Sequence, residues 1–417
     1  MKYILGLMTQ SKQKAWKFLK TAGKDFVFFH LYPTTFKLYS HKPISQTLVL
    51  LVTCLHEEIP DNLKMIKDEM VKKGFTCKIF LKPQLLVKRG VLPRILNHLH
   101  LLIHNLKFQK YYAQCSYCFL TEYFSPVYAN NPRPGVQVIQ LWHACGAFKK
   151  VGYSTADSKW GPSLITLRKY RAHSTTTAVM VSSNKIVPDY AEAFSLPEQI
   201  IYPLGVPRTD IFYNQAFIQT APEQLRKIFP QIGARKIILY APTFRGDSLS
   251  RSYYVKMLDY VLMKRFLSQD YVFLTKLHPL TAKAAGLTTL ETELYGNFVL
   301  DASSCLDINT ALCAADILIT DYSTVMCEYA LLERPMIFYA YDLEQYDRDR
   351  SFYYDYKDFV PGPIVSDTLQ LIEAIRQTEH DFNRAQIKKF RNDFMNACDG
   401  HSTERIVNFV INNREKP

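Results

Sequence analysis

The feature that most constrains the fold is a series of short apolar runs, separated by stretches long enough to form helices. Thr47–Thr53 (TLVLLVT) is the first run, and Lys236–Tyr240 (KIILY) opens a second series. Continuous apolar runs of this length are typical of strands buried on both faces of a parallel sheet. The alternation predicts an α/β fold with two doubly wound, Rossmann-like sheets. The other predicted strands are 76–81, 116–121, 136–141, 177–182, 202–204, 271–276, 298–300, 317–320 and 336–339.

The chain has 417 residues, which is long for one core, because domains average roughly 150 residues. We predict a basic helical segment at 1–45, an N-terminal Rossmann-like domain at 46–210 and a C-terminal one at 211–417. The two domains would face each other across a cleft, with ligands beyond the carboxyl ends of the strands. We expect an aromatic segment at 353–356 to form a wall of this cleft.

Charge and cysteine content restrict the function. The chain carries 51 Lys and Arg against 38 Asp and Glu, a net charge of +13, which favours polyanionic partners such as phosphorylated substrates or an anionic lipid surface. We find no recognisable nucleic-acid-binding module and expect no nucleic-acid partner. Nine scattered cysteines argue for a reducing compartment rather than a disulfide framework. The P-loop and GxGxxG motifs are absent from the sequence, so we expect neither NTP hydrolysis nor a dinucleotide cofactor.

Two segments mix basic and apolar residues. The first 45 residues contain eight lysines and one acidic residue, Asp25, and residues 84–110 combine leucines with Lys and Arg and contain no acidic residue. This mixture suits contact with anionic lipid headgroups. Each segment could equally pack one face on the protein body. Since we find neither a membrane-spanning run nor a signal peptide, we expect a peripheral protein at the cytoplasmic face of the membrane.

Two histidines follow predicted strands, one in each domain. His143 comes after the strand at 136–141, and a neutral imidazole there could take a proton from an attacking hydroxyl. Gly146 permits a tight backbone, and Lys149 and Lys150 could hold a phosphate. His278 ends the strand at 271–276 and would pair with His143 across the cleft. A purely structural role for each histidine stays open.

Other loops after strands offer anion contacts. Ser323 and Thr324 follow Asp321 at the start of a predicted helix, where free amides favour an anion. Arg208 and Arg245 lie in further loops, where a guanidinium could hold a phosphate in bidentate fashion. Ordinary helix capping and surface ion pairs are the competing interpretations. The sequence offers no convincing metal site.

Six segments occur in an order typical of one family. They are WHACGAFKK (142–150), LGVPRTD (204–210), APTFR (241–245), KLHP (276–279), ADILITDYS (315–323) and FVPGP (359–363). Together they resemble the CDP-glycerol glycerophosphotransferase family of wall teichoic acid synthesis. The resemblance covers roughly residues 115–410, which is most of the chain.

The resemblance implies two domains of the glycosyltransferase-B type, with a CDP-polyol held mainly by the C-terminal domain. It implies a metal-independent, single-displacement transfer that releases CMP. His143 would be the general base on the acceptor hydroxyl, and His278 would steady the diphosphate and its leaving oxygen. The implied donor contacts are Arg245, Ser323 and Thr324, with Asp321 close by.

The loop after His143 distinguishes branches of that family. Polymerising members tend to have Thr or Ile, Pro and Leu after WHG, whereas this chain has Ala144, Cys145, Gly146 and Ala147, which looks more like the primase branch. The resemblance therefore predicts transfer of one glycerol phosphate from CDP-glycerol to an undecaprenyl-diphosphate-linked N-acetylmannosaminyl-N-acetylglucosamine (ManNAc-GlcNAc) acceptor. CDP-ribitol as donor, a polymerase and a nucleotide-sugar glycosyltransferase of the same fold stay open, as does a homo-oligomer.

Overall fold

Two parallel sheets organise the chain. The computed structural model describes residues 20–84, 91–159, 161–245, 257–277, 291 and 294–413. Each sheet has six strands among these residues, and every pairing within a sheet is parallel. The predicted α/β fold with two doubly wound sheets is confirmed.

The first sheet has the strand order β2-β1-β3-β4-β5-β6. Its strands are β1 Leu48–Val52, β2 Thr76–Phe80, β3 Tyr117–Leu120, β4 Gln137–Gln140, β5 Ala178–Met180 and β6 Ile201–Tyr202. Each overlaps a run that the sequence predicts. Leu50 and Val138 are fully buried, as expected where helices cover both faces of a parallel sheet.

The second sheet has the order β12-β11-β10-β7-β8-β9. Its strands are β7 Lys236–Tyr240, β8 Tyr271–Thr275, β9 Val299–Asp301, β10 Ile317–Thr320, β11 Met336–Tyr339 and β12 Ile364–Val365. The sequence does not reveal β12, because two residues are too few for a periodic pattern. The chain reverses direction across the sheet between β7 and β10, which is where such sheets bind ligands. The loops at 241–245 and 321–324 lie at that point.

Helices cover the sheets and connect their strands. In the first half they are α1 Tyr32–Tyr39, α2 Asp61–Lys72, α3 Val91–Tyr112, α4 Ser125–Tyr128, α5 Leu164–Lys169 and α6 Val187–Phe194. In the second half they are α7 Gln215–Ile228, α8 Tyr260–Leu267, α9 Ile308–Ala314, α10 Val325–Ala330, α11 Leu343–Arg350, α12 Tyr356–Phe359, α13 Thr368–His380, α14 Arg384–Phe394 and α15 Ser402–Asn412.

One apolar cluster joins the two halves. Phe148, which follows β4, stacks on Phe352 and Phe359 of the second half, with ring centroids 4.2 and 4.6 Å apart. The backbone nitrogen of Tyr353 also donates to the Phe148 carbonyl over 2.9 Å. Aromatic pairs of this kind add about 0.5–1.5 kcal/mol each beyond the area they bury. They fix the segment around Phe352 against the loop that carries His143.

The last helix returns to the first sheet. Ile406, Val407 and Val410 of α15 are fully buried in a cluster with Leu51, Ile66 and other residues of the first half. Burying each of these side chains contributes roughly 1.5–3 kcal/mol. The domain limits at 210 and 211 stay a prediction, and α15 shows that the end of the chain is part of the layer covering the first sheet.

The two basic segments differ in burial. Residues 1–19 lie outside the described residues, and the helical turns after them bury Phe28, Tyr32 and Phe36 against the first sheet. The helix α3 instead exposes apolar side chains, with Ile95 58% and Ile103 56% accessible. Among the described residues, no helix has both the length and the apolar character needed to cross a bilayer.

Candidate active site

Loops from both halves enclose one cavity. It has a volume of about 290 Å³, close to the lower limit for small-molecule sites. Its lining residues include Trp142, His143, Ala144, Gly146, Ala147, Phe148, Lys149, Val151, Asp189, Tyr190, Ala193, Pro242, Thr243, Phe244, Ser323, Thr324 and Tyr353. The structure therefore brings together five of the predicted site residues, His143, Gly146, Lys149, Ser323 and Thr324. Tyr353 comes from the aromatic segment expected to form a wall of the cleft.

His143 is held in one tautomer. It follows β4, and its Nδ1 lies 3.3 Å from the carbonyl oxygen of Thr121, which follows β3. A carbonyl can only accept, so Nδ1 carries the proton and Nε2 keeps a free lone pair. The imidazole is open to the cavity on one side. Burial of its other side lowers its pKa to about 4, against the effect of the Thr121 carbonyl, while the Arg208 cation lowers it further. The side chain is thus neutral near pH 7, as a general base must be.

The backbone before His143 is strained and clamped. Trp142 has φ of 56°, a left-handed conformation that costs an L-residue roughly 1–2 kcal/mol. The amide of Gln140 accepts from the Trp142 nitrogen over 2.9 Å, and the Asn62 amide donates to the Trp142 carbonyl over 3.1 Å. The indole ring packs edge-on against Phe194. These contacts direct His143 into the cavity.

Arg208 also holds the loop that carries His143. Its Nη1 donates to the His143 carbonyl over 2.9 Å, and its Nη2 is bonded to Glu328 of α10. Its backbone nitrogen donates to Asn62 over 2.9 Å. Arg208 is not among the residues that line the cavity. A direct contact between Arg208 and a donor phosphate stays a prediction.

Gly146 allows the His143 loop to approach α10. It has φ of 67°, and a Cβ added there would lie 2.8 Å from the Cys327 sulfur. Its nitrogen donates to Ser182 over 3.1 Å, and its carbonyl accepts from Tyr190 over 3.0 Å. A side chain at this position would have to displace the Cys327 sulfur and adopt a left-handed backbone, so glycine serves both the turn and the close approach.

The two lysines after Gly146 separate. Lys149 lines the cavity and forms an antiparallel bridge with Phe352. The Lys150 ammonium lies 5.6 Å from the Tyr353 ring centroid, and Lys150 is not among the lining residues. Of the pair, Lys149 is the one placed to meet a phosphate in the cavity.

Asp321 and Arg245 form an ion pair between two loops of the second half. Arg245 is buried, donates to Asp321 over 2.9 Å and holds Asp342 through two bonds of 2.7 and 2.9 Å. Asp321 also accepts from the backbone nitrogen of Thr243 over 2.8 Å. Neither Asp321 nor Arg245 lines the cavity. Their observed bonds fix the loop after β7 to the loop after β10, and their predicted donor contacts remain untested.

Three serine and threonine residues line the cavity from the second half. Ser323 and Thr324 are half-buried and precede α10, and the Ser323 hydroxyl accepts weakly from the Val325 nitrogen over 3.5 Å. Thr243 was not singled out from the sequence. Its hydroxyl has no hydrogen-bond partner among the described residues, although it is buried. Its position in the loop after β7 is the signal that could have identified it.

His278 lies outside the described residues, so its pairing with His143 stays a prediction. The two residues before it are described. Leu277 donates its backbone nitrogen to the Ser303 hydroxyl over 3.0 Å, and the Lys276 ammonium donates to the Ser303 carbonyl over 2.9 Å. The segment therefore leaves the carboxyl end of β8 in a fixed direction.

Two parallel-sheet domains, with a histidine and hydroxyl groups lining one cavity between them, form an arrangement of the glycosyltransferase-B type. The model of the CDP-Glycerol:Poly(glycerophosphate) glycerophosphotransferase family matches residues 34–412. The chain therefore belongs to this family, and it is a transferase of teichoic acid synthesis that moves a polyol phosphate.

Relatives in this family differ in polyol and in the number of units. A teichoic acid ribitol-phosphate primase of Bacillus spizizenii is 36% identical over 91% of this chain and 95% of its own length. A poly(ribitol-phosphate) polymerase of the same species is 34% identical over 92% of this chain but 58% of its own length. A glycerol-phosphate primase of Bacillus subtilis is 31% identical over 70% of this chain and 72% of its own length.

A solved structure supports the fold. The wall teichoic acid polymerase TagF superposes with a TM-score of 0.72 at 22% identity, covering 96% of this chain and 98% of that one. This likeness confirms the predicted glycosyltransferase-B-like arrangement.

Proposed function

We propose that the protein transfers a polyol phosphate from a CDP-polyol to a hydroxyl group of a lipid-diphosphate-linked acceptor. His143 takes the proton of the acceptor hydroxyl on Nε2 while that oxygen attacks the phosphorus bearing the polyol. The bond from this phosphorus to the bridging oxygen breaks, and CMP leaves with the bonding electrons. The observation that carries the proposal is the placement of His143, whose Nδ1 contacts the Thr121 carbonyl and leaves Nε2 as the acceptor, in one cavity with Lys149, Ser323 and Thr324.

The same residues suit the charge that develops. The transition state spreads negative charge over the phosphoryl oxygens, and preorganised donors stabilise it best where water is excluded. Lys149 supplies a cation, while Thr243, Ser323 and Thr324 supply hydroxyl donors. Arg208 and Arg245 act through the loops that they hold. His278 steadies the diphosphate, as the family resemblance implies.

Ribitol phosphate is the transferred unit that the relatives favour. The ribitol-phosphate primase matches nearly the whole chain, whereas the glycerol-phosphate primase of B. subtilis matches 70% of it at lower identity. Glycerol phosphate, which the sequence motifs predicted, is the second candidate. The primase mode, with one unit added, is favoured by the loop from Ala144 to Ala147, which resembles the primase branch, and by the 36% identity to the ribitol-phosphate primase.

The acceptor places the reaction at a membrane. We infer that the undecaprenyl-diphosphate-linked disaccharide, bare or already carrying a polyol phosphate, reaches the cavity from the cytoplasmic leaflet. The exposed apolar side chains of α3 and the net charge of +13 support contact with an anionic surface. All nine cysteines are free thiols, which suits a reducing compartment.

CMP release tests this proposal. Purified protein would receive CDP-ribitol or CDP-glycerol with a short-chain lipid-diphosphate disaccharide, with and without one glycerol phosphate attached. We expect CMP with CDP-ribitol and one added unit by mass analysis. A ladder of additions would indicate a polymerase, and CMP from CDP-glycerol alone would select glycerol. No CMP from either donor, or UDP release from a nucleotide sugar, would overturn the proposed transfer.

A further inference from the structure

We propose that Asp189 is a specificity-determining residue that accepts hydrogen bonds from the hydroxyl groups of the polyol or sugar in the cavity. The inference rests on the proposed function, because it assigns to one side chain the recognition of the substrate's polyhydroxyl part. Asp189 lies in the first turn of α6 and lines the cavity together with His143 and Ser323.

Two tyrosines of the other half hold Asp189 in place. The Tyr354 hydroxyl donates to Oδ2 over 2.5 Å. The Tyr353 hydroxyl donates to the Asp189 carbonyl over 3.1 Å and accepts from Ser154 over 2.6 Å. The carboxylate is therefore fixed, and the structure records no bond between its Oδ1 and a described side chain. One acceptor oxygen remains for a ligand.

A carboxylate in this cavity has no use as a phosphate contact. Asp189 is the one acidic residue among the described residues that line it, and the family's donor and acceptor both carry phosphates. An ionised carboxylate only accepts hydrogen bonds, and it repels a phosphoryl group nearby. A hydroxyl group is the neutral donor that fits it, and hydroxyls are what the polyol and the sugar present.

The local charges support this assignment. Among the ion pairs between described residues, none joins Asp189 to a cation within 4.0 Å. Lys185, which lies nearby, pairs with Asp393 over 2.8 Å. Burial raises the pKa of the Asp189 carboxyl, and the Tyr354 bond opposes that rise only in part. No ion pair thus offsets the free energy needed to bury the charged Asp189 carboxylate. This is expected where a ligand completes the site.

A structural role would predict different behaviour. If Asp189 served only to anchor Tyr354, an asparagine carbonyl would still accept the Tyr354 hydroxyl, and Asp189→Asn would do no more damage than loss of that anchor does. Tyr354→Phe would then be the damaging change, because it removes the anchor while leaving the carboxylate. Glu192→Gln is the matched control, since Glu192 lies on the same helix, is exposed and does not line the cavity.

The experiment compares these variants by calorimetry and by turnover. Kd would be measured for CMP, CDP-glycerol and CDP-ribitol, and KM for the lipid-linked acceptor. We expect Asp189→Asn to raise the Kd of a CDP-polyol or the acceptor KM about 10-fold, as loss of a charged hydrogen bond does. Binding of CMP should stay equal or tighten, because a repulsive charge is removed. A rise in Kd assigns Asp189 to the donor polyol, and a rise in KM assigns it to the acceptor.

Two results would overturn the inference. One is wild-type donor Kd and acceptor KM for Asp189→Asn while the wild-type enzyme turns over, and this outcome leaves the proposed function intact. The other is parallel loss in Asp189→Asn and Tyr354→Phe with an equal fall in melting temperature, which marks an anchor. A wild-type enzyme that releases no CMP from either donor would remove the proposed function and this inference together.

Discussion

At the residue scale, the chemistry depends on how the fold treats single ionisable groups. His143 and His173 are both shifted towards the neutral form by burial, with pKa values of about 4 and about 3. His143 faces the cavity, whereas His173 is buried and stacks on Phe194, with ring centroids 4.2 Å apart. Burial therefore keeps the proposed base neutral in the cavity, and it makes the contribution of His173 to stability depend on pH.

The pH dependence of kcat/KM follows from His143. A base must be neutral, and the neutral fraction falls only as the pH drops through about 4. We expect full kcat/KM from neutral pH down to about pH 5, where an ordinary histidine would already be mostly protonated. Initial rates of CMP release, with tryptophan fluorescence as the check on folding at each pH, would measure this. An acid limb near the ordinary value of about 6.5 would contradict it.

His173 predicts how stability depends on pH. Because its folded pKa of about 3 lies below the ordinary value, the unfolded chain binds a proton that the folded chain excludes. His173 alone should therefore lower the free energy of unfolding by roughly 1.4 kcal/mol for each unit that the pH drops below about 6.5. His173→Asn, which tolerates the φ of 61° at this position, should reduce that slope. Urea unfolding at several pH values would test this, with exposed His41→Asn as control; equal slopes would contradict it.

At the element scale, strands and their following loops could be predicted and the contribution of helices could not. Apolar runs fix the strands, and strand ends locate His143, Ser323 and Gly146 without knowledge of any long-range contact. Asp189 lies on a helix whose pattern is explained by burial of one face. Which helix borders the cleft depends on how the two halves pack, and a periodic pattern carries no such information.

The helix α3 exposes several apolar side chains to solvent. Its exposed apolar side chains include Ile95, Leu99 and Ile103, and Arg94 and Lys107 lie on the same helix. If α3 docks on lipid, each apolar side chain inserted contributes roughly 1.5–3 kcal/mol. Leu99→Glu should then lower the partition to anionic vesicles by about 10-fold or more, since it also adds a repelled charge.

Vesicle sedimentation would measure this partition, with Leu369→Glu as the matched control. Leu369 is 63% exposed on α13 of the second half, whereas Leu99 is 50% exposed. Both variants should keep the wild-type melting temperature because neither side chain lies in the core. Equal partition of Leu99→Glu and Leu369→Glu would remove α3 as the lipid contact.

At the scale of the whole molecule, ion pairs between residues far apart in the sequence could not be predicted. Arg208 and Arg245 were predicted to contact phosphate because each follows a strand. Their carboxylate partners, Glu328 and Asp342, lie 120 and 97 positions further along the chain, and nothing local connects them. The motifs thus identify which loops form the site, and only the tertiary structure shows which carboxylates bind the two arginines.

The Arg208–Glu328 pair yields a last prediction, because it joins His143 to α10 across the two halves. Glu328 is 4% exposed, and Arg208 contacts the His143 carbonyl with the other arm of its guanidinium. Breaking a buried pair leaves an unpaired charge and costs roughly 3–5 kcal/mol. Glu328→Ala should therefore lower both the melting temperature and kcat. Arg208→Lys should lower kcat more than it raises KM, since an ammonium cannot hold both partners in one plane.

An exposed ion pair provides the control. Lys159 and Asp349 also join the two halves, over 3.0 Å, but at the surface. Exposed pairs contribute only about 0–1 kcal/mol, so Asp349→Asn should leave kcat and the melting temperature nearly unchanged. Glu328→Gln keeps the shape of the side chain and should recover part of the kcat lost in Glu328→Ala. If Glu328→Ala, Glu328→Gln and Arg208→Lys all turn over like the wild type, the contacts with Thr121 and Asn62 are enough to hold the His143 loop, and the two halves are coupled through packing rather than through this pair.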